Sequence, residues 1–324
     1  MTFWADKRIL ITGGAGFFGS QIVNQLLEKG VCKEDIYIPR SKETDLRKWE
    51  NCVQAVKDCD IVIHLAAKVG GIGFNQNYPG QIFYDNAIMG IQMIEAARQE
   101  NVEKCVVVGT VCAYPKFTPV PFMEENLWDG YPEETNASYG LAKKMLLAQS
   151  QAYRQEYGFN SIYLLPVNLY GPGDNFDPAS SHVIPALIKK FVESKQEGKP
   201  VVEIWGNGSA SREFLYVDDA ARGTILATEH YNKPDPVNLG SGMEITIRDL
   251  VVVIQELTNY SGETRWDSTK PDGQPKRSLD VSRAQKEFGF TATVPFREGL
   301  KRTVEWYKQY VPNQIPSNSH VERI

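Results

Sequence analysis

An α/β fold on a doubly wound parallel sheet is what this sequence predicts, and three observations carry that expectation. Short apolar strands alternate with helical segments through the first half, which sets parallel strands side by side under helices on both faces. The loop Gly13-Gly-Ala-Gly-Phe-Phe-Gly19 follows the first strand at once and opens a helix. At 324 residues the chain exceeds the size at which one core stops growing, so a second lobe is expected. The fold class is therefore Rossmann-type, with a smaller α/β domain interleaved with the first.

Lys7 to Thr12 is a short apolar strand, and Ser20 to Lys29 has helical apolar spacing that stops at Gly30. Asp35 to Pro39 reads as a second strand, Leu46 to Lys57 as a helix, and Asp60 to Leu65 as a buried strand. A helix is predicted over Phe83 to Glu100, a strand over Lys104 to Gly109, a helix from Tyr139 to Tyr157, and a strand over Ser161 to Leu165. Beyond Tyr170 the glycines, prolines and aspartates mark loops. Helices are then predicted over Ile184–Lys195, Asp218–Glu229, Thr246–Leu257 and Phe296–Tyr310. Strands are predicted over Val201–Trp205, Glu213–Val217 and Pro236–Gly240. The expected division is a dinucleotide-binding domain over 1–172 plus 218–243 and a substrate domain over 173–217 and 244–312. The polar tail, 313–324, is expected to be mobile.

Composition narrows the function. Hydrophobic residues make up 42% and charged ones 23%, as in an ordinary soluble domain. No apolar run approaches the roughly 20 residues of a membrane span, and the start lacks the apolar core of a signal peptide. Five scattered cysteines without a CxxC fit reduced thiols in a cytoplasmic protein. The four histidines lie far from one another and from the cysteines, so no metal site is expected. A net charge of −5 argues against a nucleic-acid surface.

Two motifs carry chemistry. Gly13, Gly16 and Gly19 suit a dinucleotide loop, in which glycine lets backbone N–H groups approach a pyrophosphate at a helix N-terminus. Where an acid often closes the second strand, this chain has Arg40 and Lys42. A cation there suits the 2′-phosphate of NADP, and Arg40 has the bidentate geometry for it, with NAD the less favoured cofactor. The alternative is that both are solvated loop charges. In Ser138-Tyr-Gly-Leu-Ala-Lys143 the tyrosine and lysine stand at i and i+4 on one helix face. The ammonium is expected to lower a phenol pKa that is otherwise about 10, letting Tyr139 exchange a proton with a carbonyl or alcohol.

Taken with His64-Leu-Ala-Ala67 and Pro166-Val-Asn-Leu-Tyr-Gly-Pro172, these motifs resemble the extended short-chain dehydrogenase/reductase superfamily of nucleotide-sugar enzymes. Within it the chain is similar to the GDP-L-fucose synthase family of 3,5-epimerase-4-reductases. The residues that carry this are Ala67-Lys-Val-Gly-Gly-Ile72, Cys112-Ala-Tyr-Pro-Lys116, Asn168 to Phe176, and Ser181-His-Val-Ile-Pro-Ala-Leu187. Trp205-Gly-x-Gly, Arg212 to Asp219 and Lys270-Pro-Asp-Gly-x-Pro275 extend the likeness to about residue 310.

The resemblance implies NADPH-dependent conversion of GDP-4-keto-6-deoxy-D-mannose to GDP-L-fucose. Thr110, Tyr139 and Lys143 would form the reductase triad, and Cys112 and His182 the acid/base pair of epimerisation. The cofactor would meet Gly13, Gly16, Phe17, Phe18, Gly19, Arg40, Asp45, Leu46, Ala66, Ala67, Lys143, Asn168 and His182. The substrate's diphosphate would meet Lys190, Arg212 and the Lys276-Arg277 pair, with Trp205 as a flat wall. A homodimer built through the long helices near 83–100 and 139–157 is also implied.

The chain departs from the family in three places. Thr110 stands where serine is usual, Gly14-Ala15 lacks the family's loop arginine, and Lys189-Lys190 replaces a diphosphate-binding arginine. Two enzymatic alternatives therefore stay open. One is a related enzyme acting on another deoxy or heptose sugar, and the other an epimerase with tightly bound NAD and no net redox change. A nucleotide-sensing protein without catalysis is the reading from another class, and the Thr110, Tyr139 and Lys143 set speaks against it.

Overall fold

The computed structural model describes residues 3–310, apart from 71, 179 and 270–273. In chain order the first lobe opens with β1 (Ile9–Thr12), α1 (Phe17–Glu28), β2 (Ile36–Tyr37), α2 (Trp49–Val56), β3 (Ile61–His64), α3 (Ile72–Asn77) and α4 (Pro79–Gln99). It continues through β4 (Lys104–Val108), a 3-10 turn (Val111–Ala113), α5 (Ala137–Tyr157) and β5 (Ser161–Pro166). The chain then enters β6 (Asn168–Tyr170), α6 (Val183–Gln196), β7 (Val201–Trp205), β8 (Ser211–Tyr216), α7 (Val217–His230) and β9 (Val237–Leu239). It closes with β10 (Glu244–Thr246), α8 (Ile247–Thr258), β11 (Glu263–Asp267), β12 (Lys276–Arg277), α9 (Ser282–Phe288) and α10 (Phe296–Tyr310).

The central sheet is parallel throughout, in the order β2-β1-β3-β4-β5-β9. Its inner strands are buried at every residue, as apolar runs such as Ile9-Leu-Ile-Thr12 and Lys104-Cys-Val-Val-Val108 require when both faces are covered. Helices α2, α4 and α5 pack together, and α1 packs with α7. After β2 the chain crosses back to place β3 on the other side of β1. That reversal opens a crevice at the carboxyl ends of β1 and β3, where open α/β sheets bind ligands.

The second lobe is built on β8, which pairs with β10 antiparallel and with β12 and β6 in parallel, while β7 and β11 form a separate parallel pair. Phe176, Ile188, Phe191, Phe214, Ile254, Leu300 and Tyr307 belong to its own core. The chain passes between lobes more than once, because α7 and β9 return to the first after β8. Helix α9 also packs on α7 and β9.

Several expected boundaries shift. β2 is shorter than Asp35–Pro39, and α2 starts at Trp49 because Asp45, before it, binds both the backbone N–H and the guanidinium of Arg47 in a turn. Helix α4 begins at Pro79, whose fixed φ suits a first helical position, not at Phe83. No helix among the described residues is long and apolar enough to cross a membrane. The Lys270–Gly273 segment of the sequence motif and the 313–324 tail lie outside the described residues.

Candidate active site

The glycine loop sits at the carboxyl end of β1. Gly13 adopts φ 73°, and a Cβ there would come within 3.0 Å of the Ala66 nitrogen at the end of β3. A Cβ on Gly19 would lie 2.3 Å from the Gly13 carbonyl oxygen, so only glycine lets α1 close onto the loop. Gly16 is the N-cap of the 12-residue α1, whose first turn carries no acidic residue. Free N–H groups and the positive helix end therefore face a backbone cradle, which fits a dinucleotide pyrophosphate. Phe17 and Phe18 are half-buried in that first turn, and Ala66 and Ala67 are half-buried beside it.

Around this cradle the other expected cofactor residues take different positions. Arg40 is exposed beyond the end of β2. Leu46 is buried, while the carboxylate of Asp45 is held by Arg47 at 2.9 Å through two nitrogens. Asn168, on β6, donates its side-chain N–H to the Glu213 carbonyl at 3.0 Å.

The chemical groups converge where β4 meets α5. Thr110 follows β4 and caps the 3-10 turn, its Oγ1 accepting the Cys112 N–H at 3.2 Å. That bond uses a lone pair of the hydroxyl and leaves its proton to donate elsewhere. Helix α5 packs directly on the turn, since a Cβ on Gly140 would lie 2.3 Å from the Cys112 carbonyl oxygen. Tyr139, the neighbour of Gly140, is close enough to Cys112 to feel its charge. Lys143 is buried one turn further on, its carbonyl accepting the Tyr163 hydroxyl at 2.8 Å.

The electrostatics correct one expectation. Burial first, and the nearby Cys112 thiol second, push the Tyr139 phenol above its ordinary pKa, not below it. Burial also pushes Lys143 down to about 8. Both groups lose hydration, and each is driven toward its neutral form. Helical spacing alone does not reveal that cost.

The second lobe carries the remaining expected residues. His182 is the N-cap of α6. Its side chain is exposed, yet desolvation by the surrounding protein pushes its imidazole below the ordinary range. The loop leading to it passes the cofactor cradle, for a Cβ on Gly173 would lie 3.9 Å from the Phe17 ring. Lys190 holds its Nζ 5.9 Å from the centre of the exposed Trp205 ring and donates to the Glu203 carbonyl at 2.9 Å.

On β12 the two basic residues part company, as alternate residues of a strand must. Lys276 is exposed and paired with Glu244 at 3.0 Å. Arg277 is buried in register with Arg212 of β8, and its Nη1 lies 3.8 Å from the Cys112 Sγ. Its Nε and Nη2 both donate to Gln274 Oε1. The sequence reading offers the pair and names Lys276 for the substrate, whereas strand register sets Arg277 beside Cys112.

Two buried groups lie within the sequence motifs, which do not single them out. His64 is fully buried, contacts Thr12 Oγ1 at 2.8 Å, and is pushed down to about 3 by burial and by the charge of Lys143. Asp174 is pushed up to about 7 by burial, with one oxygen accepting the Asn175 N–H at 2.7 Å and the other without a partner. No cluster of metal-ligating side chains occurs among the described residues.

Residues 9–240 match the model of the NAD dependent epimerase/dehydratase family. A probable GDP-L-fucose synthase 1 of Oryza sativa is 39% identical, the alignment covering 96% of this chain and 95% of that protein. The GDP-L-fucose synthase of Escherichia coli is 36% identical over 94% of this chain and 97% of its own. A crystal structure of a GDP-L-fucose synthetase from Naegleria fowleri bound to NADP superposes with a TM-score of 0.87 at 28% identity, covering 96% and 97% of the two chains.

Proposed function

The chain belongs to the NAD dependent epimerase/dehydratase family, and from that membership we propose that it makes GDP-L-fucose from GDP-4-keto-6-deoxy-D-mannose with NADPH. The reaction inverts C3 and C5 and then reduces the C4 ketone. The observation that carries the proposal is the turn bearing Thr110 and Cys112, against which α5 packs with Tyr139 beside its point of contact.

Gly13, Gly16, Gly19, Phe17, Phe18, Ala66 and Ala67 would hold the cofactor, which when bound would supply hydride for C4. Arg40 would meet its 2′-phosphate, which a guanidinium can grip bidentately. Asp45, Leu46 and Asn168 complete that side of the site. Tyr139 gives its proton to the ketone oxygen, and burial, by keeping the phenol protonated, suits it to act as the acid. Lys143, poised near neutrality, offsets the phenolate left behind. Thr110 turns its free hydroxyl proton to the same oxygen and holds the ketone in line.

The ketone acidifies the protons on both neighbouring carbons. Cys112 and His182 remove and return them on opposite faces, since thiol and imidazole both exchange protons near neutrality. Arg212, Arg277 and Lys190 face the diphosphate, with Trp205 as a flat wall and Lys276 at the margin. In this reading 1–172 with 218–243 hold the cofactor, and 173–217 with 244–312 hold the sugar nucleotide.

The protein is a cytoplasmic homodimer in this reading, joined through α4 and α5, which leave Tyr84, Met145 and Tyr157 exposed. Purified protein given GDP-4-keto-6-deoxy-D-mannose should oxidise NADPH in proportion to the sugar consumed. Sugar turnover with no NADPH oxidised would sink the reductase claim.

A further inference from the structure

We propose that the buried hydrogen bond between Tyr114 and Asn238 positions the Cys112 thiol for the proton transfers at C3 and C5, and that hydride transfer does not depend on it. The inference rests on the reading of Cys112 given above. Tyr114 closes the turn that carries Cys112, and its hydroxyl donates to Asn238 Oδ1 at 2.8 Å in the interior. Asn238 is fully buried on β9, the edge strand beside β5. Its Nδ2 donates to the carbonyls of Phe122 and Asp280, each at 3.0 Å, and its backbone N–H donates to Glu124 Oε1 at 2.9 Å. One amide thus ties the Cys112 turn to β9, to the segment at 122–124, and to the stretch that follows Arg277.

Neighbouring bonds stiffen the same junction. Phe122 donates its N–H to Ser278 O at 2.8 Å, and Asp280 donates its N–H to Phe122 O at 2.9 Å. The Tyr114 and Phe122 rings pack 5.1 Å apart. Apolar packing alone would be met by phenylalanine at position 114. The hydroxyl adds a directional constraint, and a satisfied buried network fixes relative geometry more sharply than apolar contact does. What it fixes is the placement of the Cys112 turn against the strand from which Arg277 reaches the thiol.

The hydride side is held differently. Tyr139 and Lys143 belong to α5, which touches the Cys112 turn at Gly140 but is also held by its packing on α4 and by the bond from Tyr163 of β5 to Lys143 O. The α4 packing and the Tyr163 bond do not pass through Asn238.

Tyr114→Phe tests the inference, because it keeps the ring and deletes only the bond. Two half-reactions are measured on the full-length protein: exchange of the C3 and C5 protons with deuterated water, and oxidation of GDP-L-fucose by NADP, which needs no epimerisation. Exchange should fall about tenfold or more, since a displacement on the order of 1 Å can cost about 100-fold, while sugar oxidation stays within about twofold. A parallel fall of both rates would mark a merely structural role and overturn the inference, as would unchanged exchange. Cys112→Ser run alongside separates the layers. If it too leaves exchange intact, the reading of Cys112 itself is wrong. If it abolishes exchange that Tyr114→Phe preserves, only the positioning role fails.

Discussion

Arg277 and Cys112, 165 residues apart in the chain, bring a guanidinium nitrogen to 3.8 Å from a thiol sulfur. The contact crosses from the second lobe to the first, and it couples β12, the strand proposed to meet the diphosphate, to the turn that bears the proposed proton-transfer group. Arg277 has no carboxylate partner among the described residues, whereas Lys276 is paired with Glu244.

Arg277→Met should therefore lower kcat/KM for the keto-sugar by about 100-fold, as loss of a preorganised cation does in a shielded site. Lys276→Met should stay within about twofold, because an exposed ion pair contributes little. Steady-state kinetics of the two variants, run side by side, decide the matter. Equal losses would contradict the strand-register argument.

Tyr139→Phe should cut hydride transfer by about 100-fold to 10,000-fold, the usual contribution of a general acid, while C3 and C5 exchange persists. In the wild type the reduction rate should decline as pH rises through about 8, where Lys143 loses its proton. A flat profile from neutral to alkaline pH would remove the charge of Lys143 from the reaction.

Asp174 predicts a pH dependence of stability. Its folded pKa, about 7, lies above the unfolded value near 4, so the native state binds the proton more tightly. Stability is then greatest below the unfolded value and is lost as pH rises toward 7, by up to about 4 kcal/mol. Asp174→Asn should flatten that decline and raise the Tm at pH 8 more than at pH 5. Thermal melts at the two pH values check the sign, and an equal shift at both would refute it.

Arg40→Ala should weaken NADPH binding by about tenfold to 100-fold and leave NADH binding nearly unchanged, because only NADPH carries the phosphate. Titration of intrinsic fluorescence with each cofactor measures this. Equal weakening of both would return Arg40 to the solvated loop.

The central sheet was legible in the sequence because its strands are continuous apolar runs, and α10 matches the predicted Phe296–Tyr310. β10, β11, β12 and α9 were not. β11 reads Glu-Thr-Arg-Trp-Asp with no apolar alternation, β12 is two basic residues, and α9 is too short for a periodic signal. The pairing partner β8 creates β10 and β12, and a partner far along the chain leaves no local trace.

The helix that carries Tyr139 and Lys143 was legible through its spacing, and the turn after β4 that carries Thr110 and Cys112 through its motif. The direction of the Tyr139 shift was not, because it depends on how much protein surrounds the phenol. Arg277 could be chosen over Lys276 only once the register of β12 was known. Asp174 and His64 lie in the sequence motifs, but their burial was not readable from the sequence.

The most direct test of the account runs the full reaction in deuterated water with NADPH and GDP-4-keto-6-deoxy-D-mannose, then examines the product for carbon-bound deuterium. GDP-L-fucose labelled at both C3 and C5, with one NADPH oxidised per product, is the predicted result. A product without label at those carbons, or one formed while NADPH stays constant, would contradict it.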